Sequence, residues 1–222
     1  MIKTANIKSI FTSIQGEGPY IGVKQLFVRF CGCNLACSFC DTDFKASDSK
    51  IYTVEKLIAE VDNNLDCHSI SLTGGEPLLQ AKFLKEFLPK CKLPVYLETN
   101  ATLSDELIDI INYVDYISAD IKIPSATGER NFWEEHDRFF SVAKDKKLFA
   151  KVVFNEKITD DEVGKSAKLA QKYGIELILQ PQFNNNKQVA DMKFNQKIFD
   201  KYLSKYKRVR LVPQVHKFLD II

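Results

Sequence analysis

The chain contains no run of about 20 apolar residues, so no transmembrane helix is expected. Its first residues, Met1-Ile-Lys-Thr-Ala-Asn-Ile-Lys-Ser, lack the apolar stretch of a secretory signal, and a cytoplasmic protein is expected. Net charge is almost absent: 31 Lys and Arg against 29 Asp and Glu leave +2. That balance removes the electrostatic reason to expect nucleic acid or a membrane surface as partner. Internal repeats are missing, and the only low-complexity stretch is the short Asn184-Asn-Asn-Lys187. With 45% hydrophobic and 27% charged residues, disorder, collagen and coiled coil are excluded for the whole chain. The 222 residues predict a single domain over 1–222.

What is there is an alternation of short β-rich runs with longer amphipathic ones. Strands are expected at 26–30, 69–72, 95–99, 116–121, 149–154, 175–180 and 208–212. Helices are expected at 54–64, 80–90, 104–113, 131–145, 160–173 and 195–205. Ser104 and Asp160 are good N-cap types, and Gly174 is placed to end a helix. Strand–helix alternation at this spacing implies right-handed crossovers and a parallel sheet, either open or an incomplete barrel.

In either architecture the site forms at the carboxyl ends of the strands. The cysteines follow the 26–30 strand, and Thr73-Gly74-Gly75-Glu76-Pro77 follows the next. Glu98-Thr99-Asn100 ends a third, Ser118-Ala-Asp120-Ile-Lys122 lies at the end of a fourth, and Gln180-Pro181 ends the sixth. The unusual polar and glycine residues therefore gather at one end, which reads as one active site.

Cys33-Asn-Leu-Ala-Cys37-Ser-Phe-Cys40 has the spacing C-x₃-C-x₂-C. Six cysteines in a reducing compartment do not suggest three disulfides, and this cluster points to metal or redox chemistry. Three thiolates on a 4Fe–4S cluster leave one iron open to an exogenous ligand. A structural zinc site, closed by a fourth ligand such as Cys31, His68, Cys67 or Cys91, fits the spacing about as well. The glycines of Gly74-Gly75-Glu76-Pro77 permit close backbone approach to a ligand, and the proline has no N–H to satisfy.

The cysteine spacing after one strand and Gly-Gly-Glu-Pro after the next together resemble the radical S-adenosylmethionine superfamily. The resemblance implies an α/β fold, an incomplete (β/α)6 TIM-like barrel with a short C-terminal strand and tail. It implies a 4Fe–4S cluster on Cys33, Cys37 and Cys40, whose open iron is chelated by the methionine amino and carboxylate groups of S-adenosylmethionine. Gly75, Glu76, Asn100, Ser118, Asp120, Lys122 and Gln180 become the expected S-adenosylmethionine contacts.

Further features narrow the resemblance. Ser13-Ile14-Gln15-Gly16-Glu17-Gly18, Cys40-Asp41-Thr42 and the closing Gln214-Val-His216-Lys217 are similar to the 7-carboxy-7-deazaguanine synthase family over nearly the whole chain. That family converts 6-carboxy-5,6,7,8-tetrahydropterin to 7-carboxy-7-deazaguanine with loss of ammonia, in queuosine and 7-deazapurine biosynthesis, and uses Mg2+. The resemblance implies substrate contacts from Ile14, Gln15, Gly16, Arg29 and Thr73, magnesium at Thr42, and the terminal carboxylate of Ile222 on the pterin amino group. Arg29 offers a planar fork for the pterin carboxylate. His216 and Lys217 would support the tail, and Asp41 the Thr42 loop. An electron donor such as flavodoxin or ferredoxin and a homodimer are implied as well. Asn100-Ala101 stands where Asn-Gly is expected, and 182–193 matches no family motif. The rival readings are an activase for a glycyl-radical enzyme and a zinc-stabilised binding module without catalysis.

Overall fold

The computed structural model describes residues 3–40, 48–184, 187–188 and 190–221. Its strands are β1 (Thr4–Ile14), β2 (Lys24–Phe30), β3 (Lys50–Thr53), β4 (Ser69–Gly74), β5 (Val95–Thr99), β6 (Tyr116–Asp120), β7 (Lys147–Phe154), β8 (Glu176–Pro181), β9 (Phe183–Asn184), β10 (Lys187–Gln188) and β11 (Val209–Leu211). The helices are α1 (Val54–Asp62), α2 (Ala81–Phe87), α3 (Ser104–Ile110), α4 (Pro124–Thr127), α5 (Trp133–Ala143), α6 (Asp160–Tyr173), α7 (Met192–Lys205) and α8 (Val215–Leu219). No helix among the described residues is long and apolar enough to cross a membrane.

Nine strands form one sheet in the order β11-β8-β7-β6-β5-β4-β2-β1-β3. From β2 to β11 every pairing is parallel, and successive strands are neighbours joined by helical crossovers. β1 and β3 extend the sheet antiparallel beyond β2, and it does not close on itself. The expected incomplete six-unit barrel with a short last strand is the architecture found. β1, β3 and the β9–β10 hairpin were not expected. The far half of β1 is partly buried on both faces, so it shows no alternation of apolar and polar positions.

The outer face of the sheet carries the main core. Leu26, Val28, Phe30, Ile70, Leu72, Leu97, Val152 and Phe154 pack there against Leu57, Phe83, Phe87, Leu107, Phe139 and Phe140 of the helices. Fully burying such a side chain contributes about 1.5–3 kcal/mol. The inner face is different. At its amino end Tyr96, Phe149 and Ile178 pack with Tyr20 and Tyr116. Tyr20 meets the Tyr116 ring edge-on at 4.9 Å and plugs that end of the half-barrel. Towards the carboxyl end the inner positions turn polar, and the interior opens.

Two caps differ from expectation. Thr159, not Asp160, caps α6 through a reciprocal box with Glu162, leaving Asp160 in the first turn where the helix dipole favours an acid. Leu103 holds the cap position of α3 with no side-chain bond, so Ser104 is the first helical residue. Gly174 ends α6 at φ +64°, as expected.

Candidate active site

A cavity of about 230 Å³ lies at the carboxyl ends of the parallel strands. It gathers Ile14, Gln15, Gly16, Arg29, Cys33, Cys37, Cys40, Thr73, Gly75, Asn100, Asp120, Lys122 and Gln180. Glu76 and Ser118 do not line it. Thr42, with Asp41 beside it, and Ile222 lie outside the described residues.

The cysteine loop follows β2 and is pinned from several sides. Ser38 donates from its backbone to Thr127 O at 2.8 Å and from its hydroxyl to Ala126 O at 3.0 Å, both on α4. Ala36 N donates to Glu129 at 2.7 Å, and Asn100 Nδ2 donates to Asn34 Oδ1 at 2.8 Å. Leu35 N points at the Cys33 sulfur from 3.5 Å. Burial pushes the Cys33 and Cys37 thiols up, while the Lys122 ammonium works in the opposite direction. Cys31 is buried and does not reach the cavity, whereas Cys67 and Cys91 belong to the core on the other side of the sheet.

Gly74 has φ +111°, and a Cβ there would sit 2.4 Å from Phe30 N. Only glycine permits that approach, which lets Gly75 N reach Phe30 O at 3.0 Å and Glu76 N reach Gly32 O at 2.8 Å. The Gly-Gly-Glu turn is thereby locked to the start of the cysteine loop. The Glu76 carboxylate is turned into the protein rather than towards the cavity. It is fully buried and accepts from Leu78 N at 3.1 Å, Thr99 Oγ1 at 2.8 Å and Asn100 N at 2.8 Å. Burial pushes it up to about 7. Its work is to fasten the turn after β5, which presents Asn100.

Along β6 and β7 runs a chain of charges. Lys122 pairs with Asp120 at 2.7 Å, Lys151 reaches the other Asp120 oxygen at 3.3 Å, and Lys151 also pairs with Glu17. Gln214 Nε2 donates to the second Glu17 oxygen at 2.8 Å. Burial works to raise Glu17, yet Lys151 and these hydrogen bonds bring it down to about 2. Asp120 is likewise lowered by Lys122 and Lys151 against its burial. Ser118 lies one inner position deeper on β6, buried against Tyr96, so the expected row Ser118–Asp120–Lys122 reaches the cavity only with its last two members.

On the β1 side, Gln15 lines the cavity and is also tied into the protein. Its N–H goes to Val23 O at 2.8 Å, and its side-chain amide is spent on Gln25 and Glu98 at 3.0 and 2.9 Å. Gln15 is therefore a frame residue whose free hydrogen-bonding capacity is small. Gly16 O accepts Val215 N at 2.9 Å, which docks α8 on this loop. Arg29 lies over the Phe11 ring at 5.4 Å, and Phe11 stacks on Phe27 at 5.3 Å. Glu98 and Lys151 were not assigned a role from sequence. The one signal for Lys151 was a charge within an otherwise apolar strand, and Glu98 stood visibly at a strand end.

Comparison with known proteins decides the family. The Radical SAM superfamily model matches residues 27–179. The 7-carboxy-7-deazaguanine synthase of Geobacter sulfurreducens is 36% identical over 97% of this chain and 97% of its own. That of Archaeoglobus fulgidus is 36% identical over 98% of this chain and 99% of its own. The chain belongs to the 7-carboxy-7-deazaguanine synthase family, within the radical S-adenosylmethionine superfamily. The fold agrees with the crystal structure of QueE from Escherichia coli, at TM-score 0.65 and 18% identity over 96% of this chain and 95% of that one.

A radical S-adenosylmethionine enzyme of this family carries a 4Fe–4S cluster, and the donor set fits it. Three thiols face one cavity, and the other three cysteines are held away from it. Among the described residues no three His, Cys, Asp or Glu side chains gather tightly enough for a single metal ion. S-adenosylmethionine fits beside the thiols, where Gly75, Asn100, Asp120, Lys122 and Gln180 line the same cavity. The Gln180 side-chain oxygen is buried there without a hydrogen-bond partner among the described residues.

Proposed function

We propose that this family member converts 6-carboxy-5,6,7,8-tetrahydropterin to 7-carboxy-7-deazaguanine with loss of ammonia, a carbon–nitrogen lyase step of queuosine and 7-deazapurine biosynthesis. The observation that carries the reading is one cavity lined both by Cys33, Cys37 and Cys40 and by Arg29. The cluster and S-adenosylmethionine, when bound, supply the deoxyadenosyl radical that removes a hydrogen atom from the substrate.

The chain's own residues hold and orient. Cys33, Cys37 and Cys40 are assigned the cluster, and Gly75, Asn100, Asp120, Lys122 and Gln180 are assigned S-adenosylmethionine. Arg29, steadied over Phe11, takes the pterin carboxylate through its planar fork. Thr73 and the Ile14–Gly16 loop border the ring. The Phe183 ring lines the cavity and meets Phe218 of α8 edge-on at 5.2 Å. Thr42 is assigned magnesium, which prefers oxygen ligands and keeps several waters, shared with the substrate carboxylate. Ile222 is assigned the pterin amino group. With this reading go a one-electron donor of the flavodoxin or ferredoxin kind, a homodimer and a cytoplasmic location.

The test is anaerobic incubation of reconstituted protein with the carboxypterin, S-adenosylmethionine, reductant and magnesium. Mass spectrometry should find the deazaguanine, with S-adenosylmethionine regenerated. Absence of product with a fully loaded cluster overturns the proposal.

A further inference from the structure

Three neighbouring strands place a row of three different side chains across the cavity floor. Arg29 of β2 stands opposite Thr73 of β4 in the parallel register. Thr73 Oγ1 in turn lies 3.4 Å from Glu98 Oε2 of β5. A cation and a carboxylate thus face the same space from strands two positions apart, roughly 9.6 Å between backbones at the usual strand spacing. All three side chains line the cavity.

The surroundings of Glu98 show what it lacks. Lys122 and Lys151 are committed to Asp120 and Glu17. Among the described residues Glu98 forms no ion pair of its own, and Lys151 acts on it only through space. Its donors are neutral and come from two places, the loop after β1 and strand β4. Gln15 Nε2 at 2.9 Å and the Ser71 hydroxyl at 3.1 Å both go to Oε1. Among the described residues, Oε2 receives only the long bond from Thr73. A carboxylate offers about four lone-pair directions, so Oε2 retains acceptor capacity on the cavity side. Burial and the nearby Glu17 disfavour the charge, so a donor-rich ligand face there relieves a real cost.

Resting on the functional reading above, we infer that Glu98 is the specificity residue for the pyrimidine end of the substrate, its carboxylate accepting the adjacent ring N–H and one of the two hydrogens of the exocyclic NH₂. The polarity of the row then matches the polarity of the ligand. The substrate carboxylate meets Arg29 at one end, and the donor–donor edge meets Glu98 at the other. The same edge occurs in pterins and guanines and is absent where a carbonyl oxygen replaces the amine. Gln15, Ser71 and Thr73 serve as positioning residues that fix the carboxylate plane.

Anaerobic equilibrium binding to the cluster-loaded protein tests this with two probes. One is the carboxypterin, and the other is its 2-oxo analogue, 6-carboxytetrahydrolumazine. Wild type should prefer the amino compound by at least about 100-fold, because the analogue turns a carbonyl oxygen towards a carboxylate. In Glu98→Gln, whose amide both donates and accepts, the preference should shrink to within about threefold. Iron content and S-adenosylmethionine affinity should stay within about twofold of wild type. Glu98→Asp keeps the carboxylate and should keep the preference at lower affinity, which separates recognition from folding. A Glu98→Gln protein that binds and still prefers the amino compound as strongly as wild type overturns the inference alone. Wild-type protein that binds neither probe overturns the functional reading together with it.

Discussion

His136 accepts the backbone N–H of Lys122 on Nε2 at 3.0 Å, while its Nδ1 lies 3.0 Å from the Ala101 carbonyl. Accepting at Nε2 places the ring proton on Nδ1, so the imidazole is neutral and donates to Ala101. It ties the end of β6 to the turn that presents Asn100, in which Ala101 adopts φ +56°. Glu76 holds the same turn through Thr99 and Asn100. Two buried titratable groups thus clamp one turn, and burial shifts them in opposite directions.

Their pH effects should oppose each other. Burial lowers His136 from 6.5 to about 4, so its contribution to stability is full above pH 6.5 and lost as pH falls towards 4. Burial raises Glu76 from 4.5 to about 7, so its contribution is full below pH 4.5 and lost as pH rises through 7. Each slope is about 1.4 kcal/mol per pH unit, and they cancel where the windows overlap. Urea unfolding of the cluster-free chain should show His136→Gln gaining stability from pH 6.5 to 4.5 and Glu76→Gln losing it. Slopes of the same sign in the two variants would contradict the pairing.

A methyl at Gly16 would lie 2.3 Å from Nδ1 and 2.6 Å from Cβ of His216. The Cβ contact cannot be relieved by rotating the ring, so Gly16→Ala must push α8 off the loop. Overpacking of this kind costs about 1–3 kcal/mol, here spent on displacing the tail rather than the core. Steady-state kinetics should show KM for the carboxypterin raised at least about tenfold, with iron content and S-adenosylmethionine binding retained. Combining Gly16→Ala with His216→Gly removes the ring and the Cβ it would strike, and should restore the tail contact, read as renewed protection of the Val215 amide from hydrogen exchange. No recovery of that protection would show that the loop itself is deformed.

Alanine at Cys33, Cys37 or Cys40 should abolish the cluster, with loss of iron and of the brown absorbance after anaerobic reconstitution. Serine at Cys31, Cys67 or Cys91 should leave about four irons per chain. Loss of iron in Cys31→Ser would demand a different ligand set.

Arg29→Ala should weaken the carboxypterin by about 2–5 kcal/mol, the range for a charge-assisted pair left half unmade. S-adenosylmethionine binding should change little. Phe11→Leu keeps the charge and removes only the ring beneath it, so its effect should be about 0.5–1 kcal/mol. Equal losses for both ligands in Arg29→Ala, by isothermal titration, would make Arg29 a structural residue.

Much of the site was legible because its signals are local. The cysteine spacing spans eight residues, and the Gly-Gly-Glu turn spans three. The strand at 95–99 and the helix at 160–173 match their expected bounds because turn signals or caps flank them closely. Glu98 and Lys151 were not legible. Glu98 gains its meaning from Gln15, 83 positions earlier, and Lys151 from Glu17, 134 positions earlier.

The sequence by itself determined the alternation of strand and helix, the end of the sheet where chemistry gathers, and the three thiols that face it. Those are properties of periodicity and short spacing, set within one or two elements. Tertiary structure decided which polar residues are already tied to the protein and which keep hydrogen-bonding capacity towards the cavity. Gln15 and Glu76, carried by local motifs, turn out to be spent on the protein, while Glu98 keeps an oxygen for the cavity. The reason is that a hydrogen-bonding group has a fixed capacity, and only the packing of distant strands shows how much of it is already used.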